Sequence, residues 1–175
     1  MHMMKTILID ASSAILLYKA DAFSTLIHVY DLRMTPSVFT ELTREGYLGT
    51  EVFKRCCNRV TRWEGSAEGI KFMPDGFPPL PHLGNGERDT IGQYLQGIGN
   101  FIIMDDGRAA AYCRDNSIPY INALLFPRIL YLSGILSQTE YRRKVDILIQ
   151  VGRYSKKIIE YANHCGLKDV EFFLP

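Results

Sequence analysis

Two apolar runs in this chain end on acids. Phe101-Ile102-Ile103-Met104 leads straight into Asp105-Asp106, and Ile7-Leu8-Ile9 leads into Asp10. A short apolar run bounded by a turn signal reads as a buried strand. In an open α/β sheet the carboxyl ends of such strands face the ligand crevice. Glu41 and Glu87 add two further acids, each in a segment with helical character, and Asp89 follows two residues after Glu87. Ionised carboxylates gathered in one pocket repel each other, and some take up protons. A divalent cation lets them remain ionised together. Donors that are all oxygen select magnesium or manganese over zinc. Such an ion supplies an acidic water and polarises a phosphoryl oxygen, so the chemistry indicated is hydrolysis of a phosphodiester.

Taken singly, each acid has a plainer role. Asp10 would cap the helix after it, and Asp105 or Asp106 would do the same for the next. Glu41 would be a surface acid, and Glu87 would favour a helix macrodipole. The metal reading rests on the set.

The elements that must position this set alternate along the chain. Strands are expected at 5–10, 32–35, 70–73, 101–105 and 118–121. Helices are expected at 14–19 and 22–30, from Pro36 onward, over 50–63, from 83 to about 96, and over 107–114 and 124–132. Thr35 or Ser37 stands at the cap position before or beside Pro36, a favoured first-turn residue. Over 50–63 the apolar residues Val52, Phe53, Cys56, Cys57 and Val60 recur at helical spacing. Lys54, Arg55, Arg59 and Arg62 fall on the other side, which reads as a solvated face. Four of the eight prolines fall in 74–81, a loop. Ser137-Gln138-Thr139-Glu140 matches a capping box. Ser155 caps a last helix to about Cys165, and the apolar tail 171–175 is placed to dock on the core or on a partner. Alternating strands and helices indicate an α/β fold, three-layer α/β/α with a central, mostly parallel sheet.

At 175 residues the chain suits one domain, with C-terminal helices from about 137. Twenty basic and 19 acidic residues give a formal charge of +1, so any nucleic-acid contact must come from local basic patches. No apolar run reaches the length of a membrane span. Met1 to Lys5 lacks the apolar stretch of a signal peptide. These features favour a cytoplasmic protein, with no membrane partner and with Cys56, Cys57, Cys113 and Cys165 as reduced thiols. Neither the cysteines nor the four histidines have zinc spacing.

The order of motifs resembles a PIN domain, the fold of VapC-type toxin ribonucleases and related metal-dependent nucleases. Ile7-Leu8-Ile9-Asp10-Ala11-Ser12, Pro36-Ser37-Val38-Phe39-Thr40-Glu41-Leu42, Gly86-Glu87-Arg88-Asp89-Thr90-Ile91 and Ile103-Met104-Asp105-Asp106-Gly107-Arg108 carry the likeness. It covers residues from about 5 to 135, and the Gly-Glu and Asp-Asp pairs are similar to one branch of the family. The resemblance implies that Asp10, Glu41, Glu87 and Asp106 are catalytic and bind Mg2+ or Mn2+. Asp105 would be an additional ligand or an acid just behind the metal. Ser12 would steady the first aspartate or a water on the metal, and Asp89 competes with Glu87 for the third acidic position. Glu87 stands where aspartate is commoner, and Asn122-Ala123 stands where related sequences often place Gly-Thr.

The expected function is a metal-dependent endoribonuclease, the toxin of a toxin–antitoxin pair. RNA and an antitoxin would be partners, with a homodimer as the assembly. Arg44, Arg88 and Arg108 are candidates for holding the RNA backbone. The alternatives are an inactive PIN-fold interaction module and a DNA or structure-specific nuclease. A receiver-like or phosphatase-like protein using Asp10 as nucleophile is a further one, though no Asp-x-Asp motif follows the first strand.

Overall fold

The computed structural model describes residues 4–61, 80 and 82–175. The strand expected at 70–73 lies outside the described residues, as does the proline-rich segment after it apart from Leu80. Four strands form one parallel sheet in the order β2-β1-β3-β4: β1 (Thr6–Ile9), β2 (Asp31–Arg33), β3 (Phe101–Ile103) and β4 (Tyr120–Ile121). Ile7 pairs with Leu32 on one side and Phe101 on the other, and Ile103 pairs with Ile121. The chain leaves β1 toward β2, then crosses to β3 on the opposite side. The strand order therefore reverses between β1 and β3, where α/β sheets open a crevice at their carboxyl ends.

Alternation along the strands builds two cores. Ile7, Ile9, Phe101, Ile103 and Ile121 point to one face. There they meet α1 (Ala11–Lys19), α2 (Phe23–Val29), α7 (Phe126–Leu132) and α8 (Gln138–Val151). Leu8, Ile102 and Met104 point to the other face, against Ile91 of α5 (Asn85–Leu95) and Ala109 and Cys113 of α6 (Gly107–Asp115). All of the strand residues named here are at most 2% exposed, as a strand covered on both faces requires. The α/β class, with helices flanking a parallel sheet, is as the sequence indicates.

Local chemistry sets the helix starts. Asp10 caps α1, Thr35 caps α3 (Pro36–Leu42) with Pro36 in its first turn, and Asp106 caps α6. Ser137 and Glu140 form the capping box of α8. α9 (Lys156–His164) begins at its Ser155 cap but is not the last helix: α10 (Leu167–Val170) and a 3-10 turn, Glu171–Phe173, follow. The tail docks on the core. The Phe173 ring meets Phe101 edge-on at 5.1 Å, and the Tyr30 hydroxyl donates to the Phe173 carbonyl.

The helix expected over 50–63 is shorter. α4 spans Thr50–Lys54, a 3-10 turn follows at Cys57–Arg59, and Val60 makes a parallel bridge to Met34. Met34 N donates to Arg59 O and Thr61 N donates to Met34 O. Bonds to the neighbouring strand override helical periodicity here. Arg59 does not sit on a purely solvated face, because its guanidinium donates to the Ile27 carbonyl at the end of α2. All four cysteines are free thiols. Among the described residues, no helix is long and apolar enough to cross a membrane.

Candidate functional site

The carboxyl ends of β1 and β3 carry a linked set of acids. Asp10 follows β1 directly and is fully buried. Its backbone N–H donates to the Ile103 carbonyl, which pins it to the switch point. One carboxylate oxygen accepts from Ser13 N at 2.8 Å as the α1 cap, and the other from Ser12 Oγ at 2.8 Å. The plain capping role and a place in the crevice floor therefore coexist in one residue. Ser13 continues the chain of bonds, donating its hydroxyl to Asp105 at 2.7 Å.

Asp105 is saturated. It accepts from Ser13 Oγ and Ala123 N on one oxygen and from the Tyr154 hydroxyl, at 2.7 Å, on the other. The Ala123 backbone N–H is one of these donors, while Asn122 caps the following turn. Asp106 has a different environment. Only its Oδ1 is used, accepting from Arg108 N and Ala109 N at 3.0 and 2.9 Å, and no described residue donates to Oδ2.

Glu41 and Glu87 form a second group, set by the packing of α3 against α5. Glu41 Oε2 lies 3.6 Å from where a Cβ on Gly86 would stand, so a small residue there lets the two helices close. Gly84 likewise leaves the space that the Glu87 carboxylate fills. Asp89 takes the structural part: it accepts from Ser37 of α3 at 2.6 Å and lies 3.9 Å from Arg88 Nε.

Burial and repulsion act on these acids. Burial lifts the Asp10 carboxyl to about 7, and the charge of Asp105 adds to the lift. Burial also holds Asp105 above the usual carboxylate range, although its three hydrogen bonds favour the charged form. Glu41 is raised by burial and then by the charge of Glu87. Burial pushes the nearby Cys113 thiol up to about 12, so it is unreactive at neutral pH.

A cavity of about 1120 Å³ opens beside part of this set. Ser12, Glu87, Asp105 and Asp106 line it, and Asp10 lies just beneath through its bond to Ser12. Glu41 and Asp89 do not line it, nor do Arg44, Arg88 and Arg108. Each of these arginines has a partner of its own: Tyr47 OH for Arg44, Asn85 for Arg88 and the His82 carbonyl for Arg108.

Among the described residues, no three His, Cys, Asp or Glu side chains cluster to hold a single ion between them. A fully dehydrated multi-carboxylate cage is therefore not what the side chains offer. Magnesium asks for less, keeping several waters and taking one or two carboxylates with the substrate phosphate. Glu87 and Asp106 share the cavity wall, and no described residue donates to the Glu87 carboxylate or to Asp106 Oδ2. They fit that demand. Asp10 lies beneath them, and Glu41 stands near Glu87 outside the cavity lining.

Two residues of this network are not evident from sequence motifs. Ser13 stands three residues after the Asp10 cap, a spacing that does signal the backbone bond but not the hydroxyl's reach to Asp105. Tyr154 is 49 positions from Asp105, and only the return of α8 and α9 toward the sheet brings it there. Gly152 makes room for it, because a Cβ there would run into the Tyr154 ring and lie 2.8 Å from the Leu148 carbonyl oxygen. Gly152→Ala is expected to cost about 1–3 kcal/mol through overpacking and to displace the Tyr154 hydroxyl from Asp105. Thermal unfolding compared with Tyr154→Phe checks this. The alanine variant should be at least as destabilised as the phenylalanine one.

No family model matches the chain, and no curated protein or solved structure matches it.

Proposed function

We propose that the chain is a divalent-cation-dependent endoribonuclease of the PIN type. The observation that carries the reading is the cavity at the β1/β3 switch point, lined by Glu87 of α5 and by Asp105 and Asp106 of the turn between β3 and α6, with Asp10 underneath. Glu87 and Asp106 would hold Mg2+ or Mn2+. When bound, such an ion supplies an acidic water and neutralises charge developing on the phosphoryl group. Asp105 keeps the ends of β3 and β4 in register with Ser13 and Tyr154, and so fixes where Asp106 stands. Asp10, buried beneath the cavity, would position Ser12 at the cavity wall by accepting its hydroxyl hydrogen bond. A cytoplasmic location, a homodimer and an antitoxin partner belong to the same proposal, resting on the motif resemblance.

The test is cleavage of RNA in magnesium or manganese, repeated with chelator and with matched DNA. The reading expects cleavage of RNA that chelation abolishes and that metal restores. Equal cleavage in excess chelator would overturn it. The three hydrogen bonds to Asp105 and the lack of a three-ligand cluster among the described residues favour one second reading, a PIN-like interaction module without chemistry. Calorimetric titration with manganese separates the two: the nuclease binds the ion through Glu87 and Asp106, and the module does not.

A further inference from the structure

The acids are only part of the cavity's lining. The segment from the end of α8 into α9 contributes a wall with Arg153, Tyr154, Lys157 and Tyr161, and α6 contributes Arg114. Arg114 is already engaged with Asp115 at 3.1 Å. Arg153 and Lys157 are exposed, and among the described residues neither has an ion pair or hydrogen-bond partner, whereas the neighbouring Lys156 reaches Glu160. Two free cations therefore face a recess in a protein whose net charge is only +1. A local patch of this kind attracts anions.

We propose that this wall seats a single-stranded polynucleotide, with backbone phosphates on Arg153 and Lys157 and an unpaired base stacked on the Tyr161 ring. The inference rests on the nuclease reading and adds the substrate's binding track to it. Three further observations set the class of ligand. The cavity, at about 1120 Å³, exceeds the roughly 300–1,000 Å³ of ordinary small-molecule pockets, which suits a stretch of polymer. Tyr161 is 51% exposed at the cavity wall, with Ile158 and Val151 beside it, an aromatic face on an apolar surround. Bases splayed out of a single strand stack on such faces, while those of a duplex stay paired inside it. Finally, Tyr154 lies between the two cations in sequence and bonds Asp105 through its hydroxyl, so this wall is tied directly to the acids. A strand held on Arg153 and Lys157 would run toward the carboxylates and present a phosphodiester to them.

The test is binding of a labelled single-stranded RNA by fluorescence anisotropy in chelator, over a range of salt, with a duplex of the same sequence alongside. Arg153→Gln/Lys157→Gln is expected to weaken binding about tenfold or more and to lower the salt slope by about 1.4, from roughly 0.7 per phosphate on a single strand. Tyr161→Ala should weaken binding by about tenfold with the slope unchanged. Lys19→Gln/Lys168→Gln, two exposed cations away from the cavity, should change neither. The duplex should bind more weakly than the single strand. All of these are surface substitutions, and circular dichroism melts confirm that each variant folds. Wild-type affinity and slope in the Arg153/Lys157 pair, equal losses in the control pair, tighter binding of the duplex, or no binding by the wild type would each overturn the proposal. Cleavage is scored separately. Binding that follows this pattern without any metal-dependent cleavage removes the nuclease reading and leaves the wall. Metal-dependent cleavage with unaltered binding in the Arg153/Lys157 pair does the reverse.

Discussion

Asp106→Asn is expected to lower metal-dependent RNA cleavage about 10³-fold, the rate equivalent of the several kcal/mol that a bound ion contributes at the reacting phosphoryl group. Its unfolding midpoint should stay within about 2 °C of wild type, because asparagine and aspartate are near-equal helix caps. The substitution isolates the two roles that this residue combines. Oδ1 accepts from Arg108 N and Ala109 N, and an asparagine carbonyl does this as well. What disappears is the negative charge and the anionic Oδ2, to which no described residue donates. Asp106→Ala removes the cap too and should cost about 1 kcal/mol more in stability. Initial rates on one RNA substrate, with thermal melts of the same preparations, decide the matter. A wild-type rate in the asparagine variant would reduce Asp106 to a cap, and the nuclease proposal would lose its best-placed ligand. A fall in rate matched by loss of the folded state would carry no information about metal, which is why the cap-conserving change is the informative one.

What could be read from the residues alone tracks what is local. Ile7-Leu8-Ile9-Asp10 and Phe101-Ile102-Ile103-Met104-Asp105-Asp106 are short apolar runs ending on acids, and both fold as strand ends at the crevice. Thr35-Pro36, Ser137-x-x-Glu140 and Ser155 mark helix starts because a cap needs only a residue and its next turn. The illegible part is where a distant backbone competes. Val52, Phe53, Cys56 and Val60 have helical spacing, but the Met34 backbone takes Arg59 O and Thr61 N as partners and ends the helix early. Periodicity records which side chains are apolar and carries no term for a strand edge waiting to be paired.

The same limit applies to the site. Acid positions were visible as motifs, but the difference between Asp105 and Asp106 was not. Adjacent in sequence, they differ in environment: among the described residues one meets Ser13, Ala123 and Tyr154 and the other meets the start of its own helix. Arginines near the acids in sequence, Arg44, Arg88 and Arg108, do not line the cavity. Arg153 and Lys157, about fifty residues beyond the last acidic motif, face it. The turn between α8 and α9 does this, with Gly152 giving the Tyr154 ring its space.

Asp10→Asn is expected to stabilise the metal-free protein at pH 7.5 and above. The folded carboxyl titrates at about 7 because it is fully buried and faces the charge of Asp105. In the unfolded chain it titrates near 4. Between those values the folded state holds a proton that the unfolded state has lost, so stability falls as pH rises from about 4 through about 7 and then levels off. The full difference is on the order of 4 kcal/mol, against the native state above pH 7. Its neighbours are Ser12, Ser13, Asp105 and the Cys113 thiol, none of which supplies a positive charge in compensation. Asparagine keeps the α1 cap by accepting from Ser13 N and removes the charge, so the loss with pH should disappear. Thermal unfolding in chelator from pH 5 to pH 8 measures both slopes. For a chain of this length each kcal/mol is roughly 2–4 °C, so the asparagine variant should melt well above wild type at pH 8, by roughly 8–16 °C, and by only about a third of that margin at pH 5. Manganese should raise the wild-type melting temperature at pH 8 and have less effect on the variant, because a bound cation offsets the same repulsion. A variant that melts below wild type at pH 8 would mean that Asp10 is ionised and satisfied by its serine donors, and that the acids coexist at this crevice without needing a cation.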